Sequence, residues 1–263
     1  MRLATWNVNS LKARLTRVEA WVGAHQPDVL CLQETKATDA AFPSGAFAAL
    51  GYESAHHGSG RWNGVAILSR VGLDEVQPGF HDEDRVGASE PRLLSATCAG
   101  ARILSAYVPN GRAVGSPFYE AKLVWLAHLR QELDSTCAAG SDVAVCGDFN
   151  VAPDDRDVWD PGSLDGATHV SQAEREALRR VVEWGLRDVV RELTPDGPGP
   201  FSWWDYRGGA LHKGEGMRID RALLSEPLAR RVRLAYVDRE ERKRGASGGV
   251  PSDHAPVVVE MEC

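Results

Sequence analysis

Short apolar runs recur from one end of this chain to the other, and most of them stop at a carboxylate or an amide. Residues 3–6 lead into Asn7, and residues 29–33 into Glu34. Residues 143–146 lead through Gly147 to Asp148 and Asn150, Asp220 falls within the run at 218–224, and Asp253 and His254 stand before the run at 255–260. Runs this short and continuously apolar read as buried strands rather than helices. A chain built from them has to stack sheet on sheet.

Helical spacing is confined to a few places. Leu11, Leu15, Val18 and Val22 share one face before Pro27 forbids continuation. Tyr119, Leu123, Leu126, Leu129 and Leu133 predict a long amphipathic helix, and Ser171 with Glu174 forms a capping box ahead of a helix ending near Gly185. Further strands are predicted at residues 64–69, at 93–107 around an Ala99-Gly100-Ala101 turn, at 201–206 and at 232–237. The Pro/Gly run at 195–200 is too short to read as an interdomain linker, and no periodic repeat is visible. The expected architecture is mixed α/β: two packed sheets flanked by helices, in one domain spanning residues 1–263.

A hydrophobic share of 43% supports a sizeable core. The N-terminal residues lack the apolar stretch of a secretion signal, and no run approaches the ~20 apolar residues of a membrane span. None of the five cysteines forms a C-x-x-C pair, and Cys31 and Cys146 sit inside apolar runs, as reduced structural thiols do. These features lead us to expect a cytoplasmic chain with no membrane partner, and nothing in them signals an oligomer, so a monomer is the default. The net charge of −7 argues against indiscriminate binding to a polyanion. A local basic groove remains compatible with it, because local charge decides where a polyanion docks.

An Asp or Asn after a strand ordinarily begins a turn. The same habit at so many strand ends, far apart in sequence, points instead to polar groups gathered at one rim of the sandwich. Carboxylates are costly to bury unless paired or bound to metal. Oxygen-bearing side chains without a Cys/His cluster suit Mg²⁺ or Mn²⁺ better than Zn²⁺. Phosphodiester cleavage uses such equipment: a cation against developing charge, a base for water and a donor for the leaving oxygen.

The strings TWNVNSLKAR, PDVLCLQETK, WNGVAILS, YVPNG, GDFNVAP, FSWWDYR, MRIDRALLS and PSDHAPV follow one another along the chain. In that order they resemble the motifs of the exonuclease III family of abasic-site endonucleases, within the deoxyribonuclease I-like superfamily. FSWWDYR followed by MRID is what favours the DNA-repair branch over phospholipid, inositol phosphate or RNA hydrolases of the same superfamily. A non-catalytic DNA-binding module would be expected to lack one of Glu34, Asp148, Asp220 or His254, and all are present.

The resemblance implies a four-layer α/β/β/α sandwich and magnesium-dependent cleavage 5′ to abasic sites in duplex DNA, with trimming of blocked 3′ ends and 3′–5′ exonuclease activity on the duplex. Manganese is expected to substitute. It implies Glu34 as principal metal ligand, Asn7 and Asn9 in the same pocket, and Asp253 serving the metal or its water. Asp148 would activate the attacking water and Asn150 would hold it. Asp220 would orient His254 toward the phosphate, and Tyr107 would lie nearby as a donor with Asn110 beside it. Trp203, Trp204, Met217 and Ile219 would frame a slot for a base-free sugar. Lys12, Arg14, Arg17, Lys36, the Arg61-Trp62 pair, Arg112, Arg207, Lys213 and the basic run 239–244 are the expected DNA contacts, read from their charge and position. The segment 159–169 lacks Lys and Arg, where some relatives carry a basic helical insertion.

Overall fold

The computed structural model describes residues 1–82, 90–138, 140–245 and 248–262. Its strands, in chain order, are β1 (Arg2–Asn7), β2 (Val29–Gln33), β3 (Glu53–His57), β4 (Val65–Ser69), β5 (Asp74–Pro78), β6 (Leu93–Cys98) and β7 (Ala101–Tyr107). They continue as β8 (Val143–Asp148), β9 (Leu186–Asp188), β10 (Trp203–Trp204), β11 (Gly216–Met217), β12 (Asp220–Ser225), β13 (Val232–Val237) and β14 (Val257–Met261). Two six-stranded mixed sheets result, ordered β13-β14-β1-β2-β4-β3 and β5-β6-β7-β8-β12-β9, with β10 and β11 as a separate ribbon.

Apolar side chains from the two sheets meet in a core that includes Leu3, Cys31, Ile67, Ile103, Cys146 and Val259. On the outer face of the first sheet, Trp6, Leu30 and Leu68 pack with Val18 and Trp21 of helix α1 (Leu11–His25), and with Phe47 of α2 (Ser44–Ala48). On the outer face of the second, Leu104 and Val145 pack with Trp125 and Leu129 of α3 (Pro117–Thr136) and with Leu178 of α4 (Gln172–Val182). The four-layer α/β/β/α sandwich is thus the fold. Cys31, Cys98, Cys137 and Cys146 are free thiols, and Cys263 lies outside the described residues.

The strand period of two places the polar strand ends. Leu3 of β1, Ala144 and Cys146 of β8, and Ala222 and Leu224 of β12 all face the intersheet core. Farther along the same faces come Asn7, Asp148 and Asp220, so all of them point into the space between the sheets at one rim. Register fixes them further: Tyr107 pairs across from Asp148, and Asp148 across from Asp220. Gly147 allows the approach, since a Cβ there would lie 1.8 Å from the Ala106 carbonyl oxygen.

Three strands of the two sheets escaped the sequence pattern: β3, β5 and β9. Each lies at a sheet edge, where one side lacks a neighbour and an apolar run is not required. The expected strand at 201–206 shrinks to the Trp203–Trp204 ribbon, and that at 218–224 begins at Asp220. The stripe of α3 also differs, because Lys122 is buried and Leu123 only half so.

Candidate active site

Asn7 is the hub of the rim. Its amide nitrogen donates to Glu34 Oε1 and to Asp148 Oδ2, both at 2.9 Å, while its Oδ1 accepts from the Asn9 backbone N–H. Turned this way, Asn7 links the two carboxylates of the rim. Glu34 follows β2 with φ of 52°, a left-handed backbone that turns its carboxylate back over the rim. Lys36 Nζ lies 2.9 Å from Glu34 Oε2 and donates to Asn9 Oδ1 at 2.6 Å.

Across the rim, His254 Nδ1 lies 2.8 Å from Asp220 Oδ2, and its Nε2 faces Asp148 Oδ2 at 3.8 Å. Ser202, which the sequence did not single out, donates to the same Asp220 oxygen at 2.6 Å and receives the Asp220 N–H. Asn150, at φ 51°, donates its backbone N–H to Asp148 Oδ1 at 2.9 Å and its side-chain amide to the Val108 carbonyl. Asn110 Nδ2 reaches Asn150 Oδ1 at 3.3 Å. Arg92, also unforeseen, stacks its guanidinium over the Tyr107 ring at 4.6 Å.

Electrostatics divide these groups by role. Burial pushes Asp148 up to about 7, with the His254 charge opposing and Asp220 adding to the rise. Burial works against charge on His254 too, but Asp220, Asp148 and Asp253 outweigh it and hold the imidazole at about 10. The phenol of Tyr107 is pushed well above its ordinary value by burial and by the Glu34 charge, so it keeps its proton. The rim therefore sets a near-neutral carboxylate base between an imidazolium and a protonated phenol.

Among the described residues, Glu34, Asp148 and His254 offer candidate ligand atoms that all lie within 4.8 Å of one another. An imidazole protonated at both nitrogens has no lone pair to give, so the carboxylates are the donors suited to a cation here. An oxygen donor set with one or two carboxylates is what magnesium accepts beside water and phosphate. Asp253 stands apart from this group: its oxygens take Asn9 Nδ2 at 2.9 Å and the Trp203 indole N–H at 3.1 Å.

Trp203, Met217 and Ile219 pack in one small cluster with Val158. Trp204 does not join them. It is 2% exposed and packs with Ala210 and Ala255, on the other side of the ribbon, because neighbours on a strand face opposite ways. Trp62 is 75% exposed and lines a cleft of about 480 Å³ with Tyr107, Asn110, Arg112 and Phe118, while Arg61 is exposed beside it.

Within the basic run at 239–244, Arg239, Lys243 and Arg244 are exposed. Arg242 is buried and donates to the carbonyls of Ser252 and Trp204, and Arg239 donates to the Leu211 carbonyl. Arg17, expected at the DNA, is buried in an ion pair with Glu241 at 2.9 Å. Arg17 and Arg242 brace the loop that carries His254, through the carbonyls of Gly249 and Ser252. The segment 159–169 forms turns rather than a helix, and it delivers His169 to the Asn150 carbonyl.

Comparison with known proteins accords with this geometry. The model of the endonuclease/exonuclease/phosphatase family matches residues 4–254. The chain belongs to that family. Among the family's members, exodeoxyribonuclease III of Haemophilus influenzae is 31% identical over 279 residues, covering 100% of both chains. A solved AP endonuclease from Archaeoglobus fulgidus superposes with a TM-score of 0.94 at 36% identity, again over 100% of both chains. The 3′ phosphatase NExo from Neisseria, solved as a variant bound to a product DNA hairpin, gives a TM-score of 0.94 at 35% identity with the same full coverage, 100% of each chain. The resemblance to exonuclease III-type nucleases drawn from the motifs is borne out. No helix among the described residues is long and apolar enough to cross a membrane.

Proposed function

We propose that this chain is a magnesium-dependent DNA-repair phosphodiesterase. It hydrolyses the backbone of duplex DNA 5′ to abasic sites and trims blocked 3′ ends. We further propose that it works as a monomeric single domain in the cytoplasm, and that manganese can replace magnesium. The observation that carries the reading is the convergence of Glu34, Asp148 and His254 at one rim, from distant parts of the sequence. Glu34 would be the principal holder of the ion, which when bound supplies positive charge against the phosphate oxygens.

The remaining work falls to side chains. Asp148 takes the proton of the attacking water, a task suited to a base near neutrality. Asn150 and Asn110 hold a phosphate oxygen and the water in line. The His254 cation, oriented by Asp220, faces the phosphate and stabilises charge that grows as the P–O3′ bond breaks. Tyr107 donates toward the departing oxygen. The wall formed by Trp203, Met217 and Ile219 receives a sugar without its base and excludes one that carries it by size.

A labelled duplex with one central abasic site, followed over time with Mg²⁺ and with EDTA, tests this reading. A single cut 5′ to the lesion, leaving a 3′-hydroxyl and appearing only with the ion, is expected. Phosphate release from inositol phosphates or phospholipid at comparable rates, with the duplex left intact, would transfer the chain to another branch of the family.

A further inference from the structure

Helix α3 carries a lysine in its buried stripe. The side chains of Lys122 and its partner Glu174 are each 0% exposed, with Nζ 2.5 Å from Glu174 Oε1. The ammonium has two further acceptors, the backbone carbonyl of Asn150 at 2.6 Å and that of Asn110 at 3.2 Å. These are the two residues whose amides meet over the proposed phosphate position.

The rest of the network keeps those carbonyls turned inward. Glu174 also accepts from the His169 N–H at 3.0 Å, and the single hydroxyl proton of Thr168 lies between Glu174 Oε1 at 2.9 Å and the Asn110 carbonyl at 3.2 Å. His169 Nδ1 lies 2.5 Å from the Asn150 carbonyl, so that nitrogen carries the proton and Nε2 is free to accept from Asn110 Nδ2 at 3.5 Å. Asn150 sits in the left-handed region, which costs a non-glycine residue free energy unless its surroundings hold it there. A buried ammonium needs three acceptors, and here two of the three are the carbonyls of the residues whose side-chain amides meet.

We infer that Lys122 is a positioning residue, whose ammonium clamps the Asn110 and Asn150 backbones together and so sets their amides for the phosphate. The inference rests on the active-site reading above. Removing Lys122 alone would strand the Glu174 charge and destabilise the protein whatever its role. The double variant Lys122→Met/Glu174→Gln removes both charges and keeps the volumes, so folding is expected to survive.

On the abasic duplex its kcat is expected to fall at least about tenfold, since small misplacements of holding groups are costly, with KM changed less than about twofold. In an Asn150→Ala background the same exchange should cost less than about threefold, because the clamp acts through Asn150. An unchanged kcat, or an equal loss in both backgrounds, overturns the inference while leaving the function intact. Amide ¹H–¹⁵N shifts of the Asn110 and Asn150 side chains give a readout free of any activity. They are expected to move in the double variant, and shifts like those of the wild type would refute the clamp even if the proposed substrate proved wrong.

Discussion

Asp148→Asn is expected to slow incision of abasic duplex DNA by roughly 10³-fold, within the range general-base catalysis supplies, while the protein stays folded and binds the duplex. The carboxylate is buried at the junction of β7, β8 and β12, and burial pushes it up to about 7. A base with that affinity is half ready at neutral pH and strong enough to hold the proton it takes. An amide has nearly the same shape and cannot take it.

The structural cost is small by comparison. Asn7 and the Asn150 N–H each donate to one Asp148 oxygen, so one of the two loses its acceptor, a penalty of about 1–3 kcal/mol. Against this, a carboxylate that burial disfavours is removed. Single-turnover rates, thermal melting and duplex binding measured on the same preparation separate these effects. Turnover within about tenfold of wild type would take Asp148 out of the proton-transfer role.

His254→Gln is expected to lower the rate by about a hundredfold, the scale of one lost preorganised donor, and to alter how stability depends on pH. In the folded chain the imidazole is held at about 10, whereas an unfolded histidine titrates near ~6.5. Because the folded value is the higher, its contribution is full below about pH 6.5 and drains away as pH rises toward about 10. The sources are Asp220 at 2.8 Å and Asp148 at 3.8 Å, with Asp253 next in line. Denaturant unfolding of the ion-free protein from about pH 6.5 to about 10 should show wild-type stability falling, and the variant's falling less. Parallel curves for the two proteins would mean that His254 is not held as a cation.

How far the sequence disclosed this site depends on which physical signal each residue leaves. Asn7, Glu34, Asp148 and Asp220 were legible because a polar group ending an apolar strand is a visible break, and the strand period then sends those within strands to the same face. The edge strands β3 and β5 left no such mark, since their side chains are half-buried or exposed.

Buried charges were the least legible. Lys122, Arg17 and Arg242 look like surface residues in a sequence, because only a partner brought in by the fold allows them inside. Arg17 and Arg242 were accordingly expected at the DNA, whereas they hold the His254 loop from behind. Trp204 misled for a related reason: a pair of adjacent tryptophans cannot both line one slot on an extended backbone. His169 and Ser202 carry no local pattern and emerge only from contacts to Asn150 and Asp220.

The proposed chemistry requires a divalent cation held by Glu34 at the rim, beside Asp148 and overlooked by His254. Anomalous scattering from crystals of the wild-type protein grown with Mn²⁺ tests that requirement directly. The expected map has a strong peak within bonding distance of a Glu34 oxygen, in the space bordered by Asp148 and His254. Saturating Mn²⁺ with no peak at Glu34, or with the ion bound only on another face of the sandwich, would contradict the account.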